Sequence, residues 1–195
     1  MNAAPQRIGL FGGSFDPVHC GHLLVAQAAL EELALDRLFF IPAAQSPFKP
    51  AIAPAPAAER LRMLRLALAG QTRCEIDDQE VHRGGTSYTI ETVREYARRF
   101  PCAELFYLIG ADHVPTLPAW RDAEALADLL EFVVIPRPGQ APACFPPPFR
   151  GRELRGFPLG LSSSTIRQRV RAGLGIRGLV ADAVADAISN SKLYL

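Results

Sequence analysis

The stretch "GLFGGSFDPVHCGH", residues 9 to 22, concentrates groups that can do chemistry. Gly12 and Gly13 lack a Cβ, so a ligand can approach their backbone closely and either can take a positive φ. Asp16-Pro17 follows as a turn former, and His19 and His22 then fall three apart at the opening of an apolar run. Residues three apart on a helix share a face, and a helix start is its positive end. The pair therefore reads as two imidazole donors at an anion site. Two other readings stand beside it. His19, Cys20 and His22 are metal-ligand types, but zinc wants three or four ligands and no second cluster accompanies these. Two histidines satisfied by internal hydrogen bonds would explain the imidazoles and leave the glycines unexplained.

A second anion-binding pattern is "LGLSSSTIRQRVRAG", residues 159 to 173. One of Ser162 and Ser163 is a natural N-cap, and capping needs only one hydroxyl. The further hydroxyls of Ser163 and Ser164, with free N–H groups at a helix start, suit a phosphate. Arg167 lies in the first turns, where the helix dipole disfavours a cation unless an anion is bound. A serine-rich cap carrying a solvated basic face is the alternative, and Arg169 and Arg171 fit it. With Lys49 in a proline-rich stretch, these groups together suit a polyphosphate such as ATP, and no protein nucleophile is indicated. Asp112, in "LIGADHV", could take a ribose hydroxyl or cap the helix that follows.

These residues need a frame that brings them to one place. "RIGLFG", "RLFFIPA", "ELFYLIGAD" and "EFVVIPRP" are rich in β-branched and aromatic residues and read as buried parallel strands. Between them "HLLVAQAALEEL", "AERLRMLRLALA" and "TIETVREYARRF" carry apolar residues at three- and four-residue spacing. The alternation predicts an α/β fold, a Rossmann-like doubly wound parallel sheet with flanking helices, which binds ligands beyond the carboxyl ends of its strands. Two stretches break the pattern: residues 41–59 with five prolines and 136–158 with seven. Both read as loops, either filler or functional, and Lys49 favours function for the first.

The 195 residues, without a low-complexity linker, predict one domain over 1–195. A net charge of +1 offers no footprint for a long nucleic acid or an anionic membrane. Four scattered cysteines form no C-x-x-C pair and read as reduced thiols. With no charged leader before an apolar run and no long apolar stretch, the expectation is a soluble cytoplasmic protein.

"GGSFDPVHCGH", "SPFK", "GGTSYTIET", "LIGADHVPTLPAW", "IPRPG" and "LSSSTIR" follow the order and approximate spacing of bacterial nicotinate-nucleotide adenylyltransferases, in the H-x-G-H nucleotidyltransferase superfamily. The resemblance runs nearly the whole chain, to "SKLYL". The first and last motifs are shared with pantetheine-phosphate adenylyltransferases and cytidylyltransferases, whereas "GGTSYT" and "GADHVPTLPAW" select the nicotinate branch. Two positions depart from the family pattern: Phe48 stands where the family has His, so no role is carried to it, and Cys20 stands where it has Asn.

The resemblance implies joining of ATP, with Mg²⁺, to nicotinate mononucleotide, giving nicotinate adenine dinucleotide and pyrophosphate. ATP would lie over Gly12, Gly13, Ser14 and Phe15, with His19 and His22 on its phosphates and Ser163, Ser164 and Arg167 opposite. Asp112 would hold its ribose. Lys49, Thr89, Trp120 and Arg137 would hold the mononucleotide, Lys49 acting with His19, His22 and Arg167 in catalysis. For Trp120 the residue type alone equally suits a core position. The rivals are an adenylyltransferase for another phosphomonoester such as phosphopantetheine and a nucleotide-sensing module without turnover. A nucleic-acid binder is further off. Oligomeric state is not legible in the sequence.

Overall fold

The computed structural model describes residues 5–45, 54–135, 138–139 and 142–195. The strands are β1 (Arg7–Gly13), β2 (Arg37–Pro42), β3 (Cys74–Ile76), β4 (Glu104–Gly110), β5 (Glu131–Ile135) and β6 (Gly151–Glu153). The helices are α1 (Cys20–Glu32), α2 (Ala57–Ala67), α3 (Gln79–Arg83), α4 (Thr89–Arg99), α5 (Ala123–Leu129), α6 (Ser163–Arg171) and α7 (Asp182–Asn190), and a 3₁₀ stretch covers Ala111–Ala119. The strands pair in the order β3-β2-β1-β4-β5-β6, every pair parallel. The order runs outward from β1 in one direction and restarts at β4 in the other. The expected doubly wound sheet is what the chain forms, with its switch point between β1 and β4.

Burial on both faces explains the nearly continuous apolar strands. One face packs Phe11, Phe40, Phe106 and Val133 with α1, α2, α6 and α7. The other packs Ile8, Leu10, Phe39 and Tyr107 with α4, α5 and the 3₁₀ stretch. Register aligns the strand ends. Gly13 lies opposite Pro42 of β2, Gly110 opposite Ile135 of β5, and Leu10 opposite Tyr107, each three residues short of its strand's end. Everything that follows β1, β2, β4 and β5 thus leaves from one rim.

The reading of 136–158 as loop throughout is corrected by β6. Gly151–Glu153 pairs with β5 on one side alone, as the outermost strand, a position that proline-rich flanks tolerate.

Candidate active site

Gly12 and Gly13 remain inside β1, and neither is among the residues of positive φ. Their lack of a side chain serves neighbours within the protein. A Cβ on Gly12 would sit 2.4 Å from the Tyr107 hydroxyl, and one on Gly13 would press the Phe15 ring at 3.1 Å. The positive φ expected of a glycine falls instead on Phe15, at 45°. That strain is held by packing: the Phe15 ring is buried against Phe11, Phe40 and His22. Phe15 can meet a nucleotide only through its backbone. Ser14 is exposed, and its carbonyl turns inward to accept from Arg60 Nη1 at 2.9 Å.

Arg60 is a residue the sequence reading passed over, since a charged position on an amphipathic helix reads as its solvent face. It is buried, and it also donates to the carbonyls of Ala43 at 2.8 Å and Ala55 at 3.0 Å. One guanidinium therefore joins the β1–α1 turn, the exit of β2 and the entry of α2.

His19 is the N-cap residue of α1 and His22 lies in its first turn. The imidazoles stack at 3.7 Å between centroids, tilted by 25°. His22 Nδ1 accepts the His19 backbone N–H at 3.1 Å, which leaves Nε2 to carry the proton of a neutral ring. Burial lowers the His19 pKa to about 4, and burial together with the neighbouring His19 holds His22 well below its ordinary value. Both rings are neutral donors at pH 7. Among the described residues no group of three or more His, Cys, Asp and Glu side chains is placed to hold a metal ion. His19 Nδ1 is buried and finds no partner among the described residues. It faces Gly21, where a Cβ would come within 3.0 Å, so the glycine between the histidines makes room for the ring.

The start of α6 is fastened onto the same turn. Ser162 is the N-cap, its Oγ accepting the Thr165 N–H at 3.1 Å. The Ser163 hydroxyl donates to the Pro17 carbonyl at 2.9 Å. Arg167 Nη1 donates to the Asp16 carbonyl at 2.7 Å, and Nη2 to Ser164 Oγ at 3.2 Å. The expected conflict between Arg167 and the helix dipole is thus relieved within the chain, with the Asp16 carboxylate a further 3.8 Å contact. Asp16 Oδ1 in turn accepts the Tyr194 hydroxyl at 2.7 Å, and burial and that bond raise the phenol's pKa. An open cleft of about 470 Å³ adjoins, with Asp16, Arg167, Arg171 and Tyr194 among its lining.

Across β1 lies a second group. Thr89, the first residue of α4, reaches the Tyr107 hydroxyl at 3.5 Å. Trp120 is half-buried, edge-on to Tyr107, Phe132 and His113, with Nε1 donating to Thr116 Oγ1 at 3.2 Å. Tyr107, which the sequence reading also missed, is the piece that brings Gly12, Thr89 and Trp120 together; burial raises its pKa further. Asp112 is exposed at the rim, in the first turn of the 3₁₀ stretch after β4. Lys49 and Arg137 lie outside the described residues.

The family model described as cytidylyltransferase-like matches residues 10–169. A protein of Gemmatimonas aurantiaca named "Probable nicotinate-nucleotide adenylyltransferase" is 46% identical, the match covering 97% of this chain and 92% of that one. Proteins of the same name from Opitutus terrae and Thermus thermophilus are 41% and 42% identical, covering 97% of this chain and 98% and 100% of theirs. Among solved structures, the Plasmodium falciparum nicotinic acid mononucleotide adenylyltransferase complexed with NaAD superposes with a TM-score of 0.77 at 17% identity, over 97% of each chain, and shares the fold. With its H-x-G-H helix at the rim of a doubly wound sheet and such relatives along its whole length, the chain belongs to the nicotinate-nucleotide adenylyltransferase family.

Proposed function

We infer that this enzyme transfers the adenylyl group of ATP to the phosphate of nicotinate mononucleotide, forming nicotinate adenine dinucleotide and releasing pyrophosphate in NAD biosynthesis. A phosphate oxygen of the mononucleotide attacks the α-phosphorus in line; the bond to the bridging β-oxygen breaks, and pyrophosphate carries that electron pair away. No protein nucleophile takes part, so the residues act by positioning and by offsetting developing charge. The observation that carries the reading is convergence. The starts of α1 and α6 meet at residues 16–19, through the Ser163–Pro17 and Arg167–Asp16 bonds, beside two neutral imidazoles.

In this reading the triphosphate rests between the histidine pair and Ser163, Ser164 and Arg167, over Gly12 to Phe15, with Asp112 at the ribose. His22 offers Nε2–H without adding a full charge. Lys49 and Arg137 belong to the mononucleotide side by resemblance, together with Thr89 and Trp120. Mg²⁺ enters as part of the MgATP substrate and offsets triphosphate charge. No described helix is long and apolar enough to cross a membrane, and the four cysteines are free, which supports assignment to the reducing cytoplasm.

The test is MgATP with nicotinate mononucleotide, nicotinamide mononucleotide or phosphopantetheine in turn, with products identified by mass and pyrophosphate measured. Nicotinate adenine dinucleotide is the expected product. α4 begins without a side-chain cap, so its first N–H groups offer donors toward a ring carboxylate near Thr89. The acid should exceed the amide in kcat/KM by about tenfold to a hundredfold, the cost of leaving a donor unpaired. A preference for the amide or for phosphopantetheine would overturn the assignment.

A further inference from the structure

We propose that Glu80, on α3, is a positioning residue for the acceptor mononucleotide, acting through the hydroxyls on either side of Thr89. The proposal rests on the functional reading above. A carboxyl group that is only 4% exposed is costly unless its oxygens are bonded, and two hydroxyls meet this one. Thr92 Oγ1 donates to Oε1 at 2.5 Å, and the Ser87 hydroxyl bonds the same carboxyl group. Donor accounting fixes the direction of the second bond. An ionised carboxylate only accepts, so the Ser87 hydroxyl donates to Glu80 while its oxygen accepts the Ala44 N–H at 3.0 Å.

The result is a chain of bonds from the Ala44 N–H through Ser87 to the Glu80 carboxyl group. It clamps the turn at residues 84–89 to the exit of β2, where the Ser87 N–H also donates to the Gln45 carbonyl at 2.9 Å and Gln45 bridges Thr86. Thr92 lies one turn into α4, so Glu80 holds the hydroxyl side chains two residues before Thr89 and three residues after it. Thr89 is thereby set against Tyr107, whose hydroxyl lies over Gly12. Glu80 touches no substrate in this arrangement. It fixes the wall that the pyridine ring would meet, on the opposite side of β1 from the phosphate-binding turn.

The experiment compares wild type, Glu80→Gln, Ser87→Ala and the double variant in steady-state assays, varying ATP and nicotinate mononucleotide separately, with thermal unfolding as a parallel record. Glutamine keeps one acceptor oxygen but sets an NH₂ donor where the other carboxylate oxygen stood, against one of the two hydroxyl protons. Each single variant should raise the KM for the mononucleotide about tenfold, with kcat and the KM for ATP within about twofold. The double variant should be no worse than the worse single one, because both break one chain. A mononucleotide KM within about twofold of wild type, an equal rise in both KM values, or effects that multiply in the double variant would each overturn the proposal. Ser87→Ala decides the matter alone if Glu80→Gln does not fold. Absence of dinucleotide from the wild type would overturn the functional reading and this assignment together, whereas a normal wild type with unmoved variants overturns the assignment only.

Discussion

Two imidazoles stacked at 3.7 Å cannot both be charged without strong repulsion, and burial has already moved them to the neutral form. A neutral ring that donates from Nε2 does most where negative charge grows during reaction. His22→Ala should therefore lower kcat by about a hundredfold or more while changing the KM for ATP far less, and a wild-type kcat would remove His22 from catalysis. The same burial couples His19 to stability. An unfolded His19 takes up a proton near pH 6.5, whereas the folded one resists until about pH 4. Between those values the unfolded chain binds more protons, so stability falls as pH falls across that window and levels off below it. Urea unfolding at pH 7 and pH 5 should show wild type losing about 2 kcal/mol more than His19→Asn over that step. Equal losses would mean that His19 titrates normally in the fold.

At the scale of elements, α6 separates capping from fastening between residues 162 and 167. The Ser162 hydroxyl only closes the helix end, while Ser163 and Arg167 fasten it to the β1–α1 turn. Ser162→Ala should cost about 1 kcal/mol, a fall of roughly 2–4 °C in Tm, with kcat retained; a large loss of kcat would place that hydroxyl in the phosphate site. The four long strands and helices α1, α2 and α4 were legible in the sequence, because each carries a period or an apolar run long enough to stand out, and α6 was legible through its serine cap. β3 and β6 were not. Each is three residues long at a sheet edge, and β6 follows directly on a proline-rich run. The 3₁₀ stretch holds Pro115 and Pro118 and so carries no helical pattern. The glycines, the histidines, the serines and Arg167 were legible because their types are conspicuous. Arg60, Glu80 and Tyr107 were not, since their importance comes from burial and from partners distant in the chain, which no local spacing records.

For the whole molecule, the site depends on contacts that span the chain. β1 pairs with β4, Arg7 standing opposite Glu104, and the Asp16–Tyr194 bond joins residues 178 apart. Tyr194→Phe would leave a buried Asp16 oxygen without its hydroxyl donor, costing about 1–3 kcal/mol in urea unfolding. Asp16 also contacts Arg167, so the KM for ATP should rise in the same variant. An unchanged unfolding midpoint would mean that water replaces the phenol at no cost.

That long bond has a consequence in time. The glycine turn, both histidines and the pocket around Thr89 and Trp120 are synthesised earlier, but the arginine and the tyrosine that secure Asp16 come from residues 167 and 194. Contacts of such separation close late, because their loop entropy must be met before they stabilise anything. During refolding, Trp120 emission should recover ahead of dinucleotide formation. A chain still being made would thus hold the folded surroundings of Thr89 and Trp120 well before residues 167 and 194 arrive to fasten the turn at Asp16.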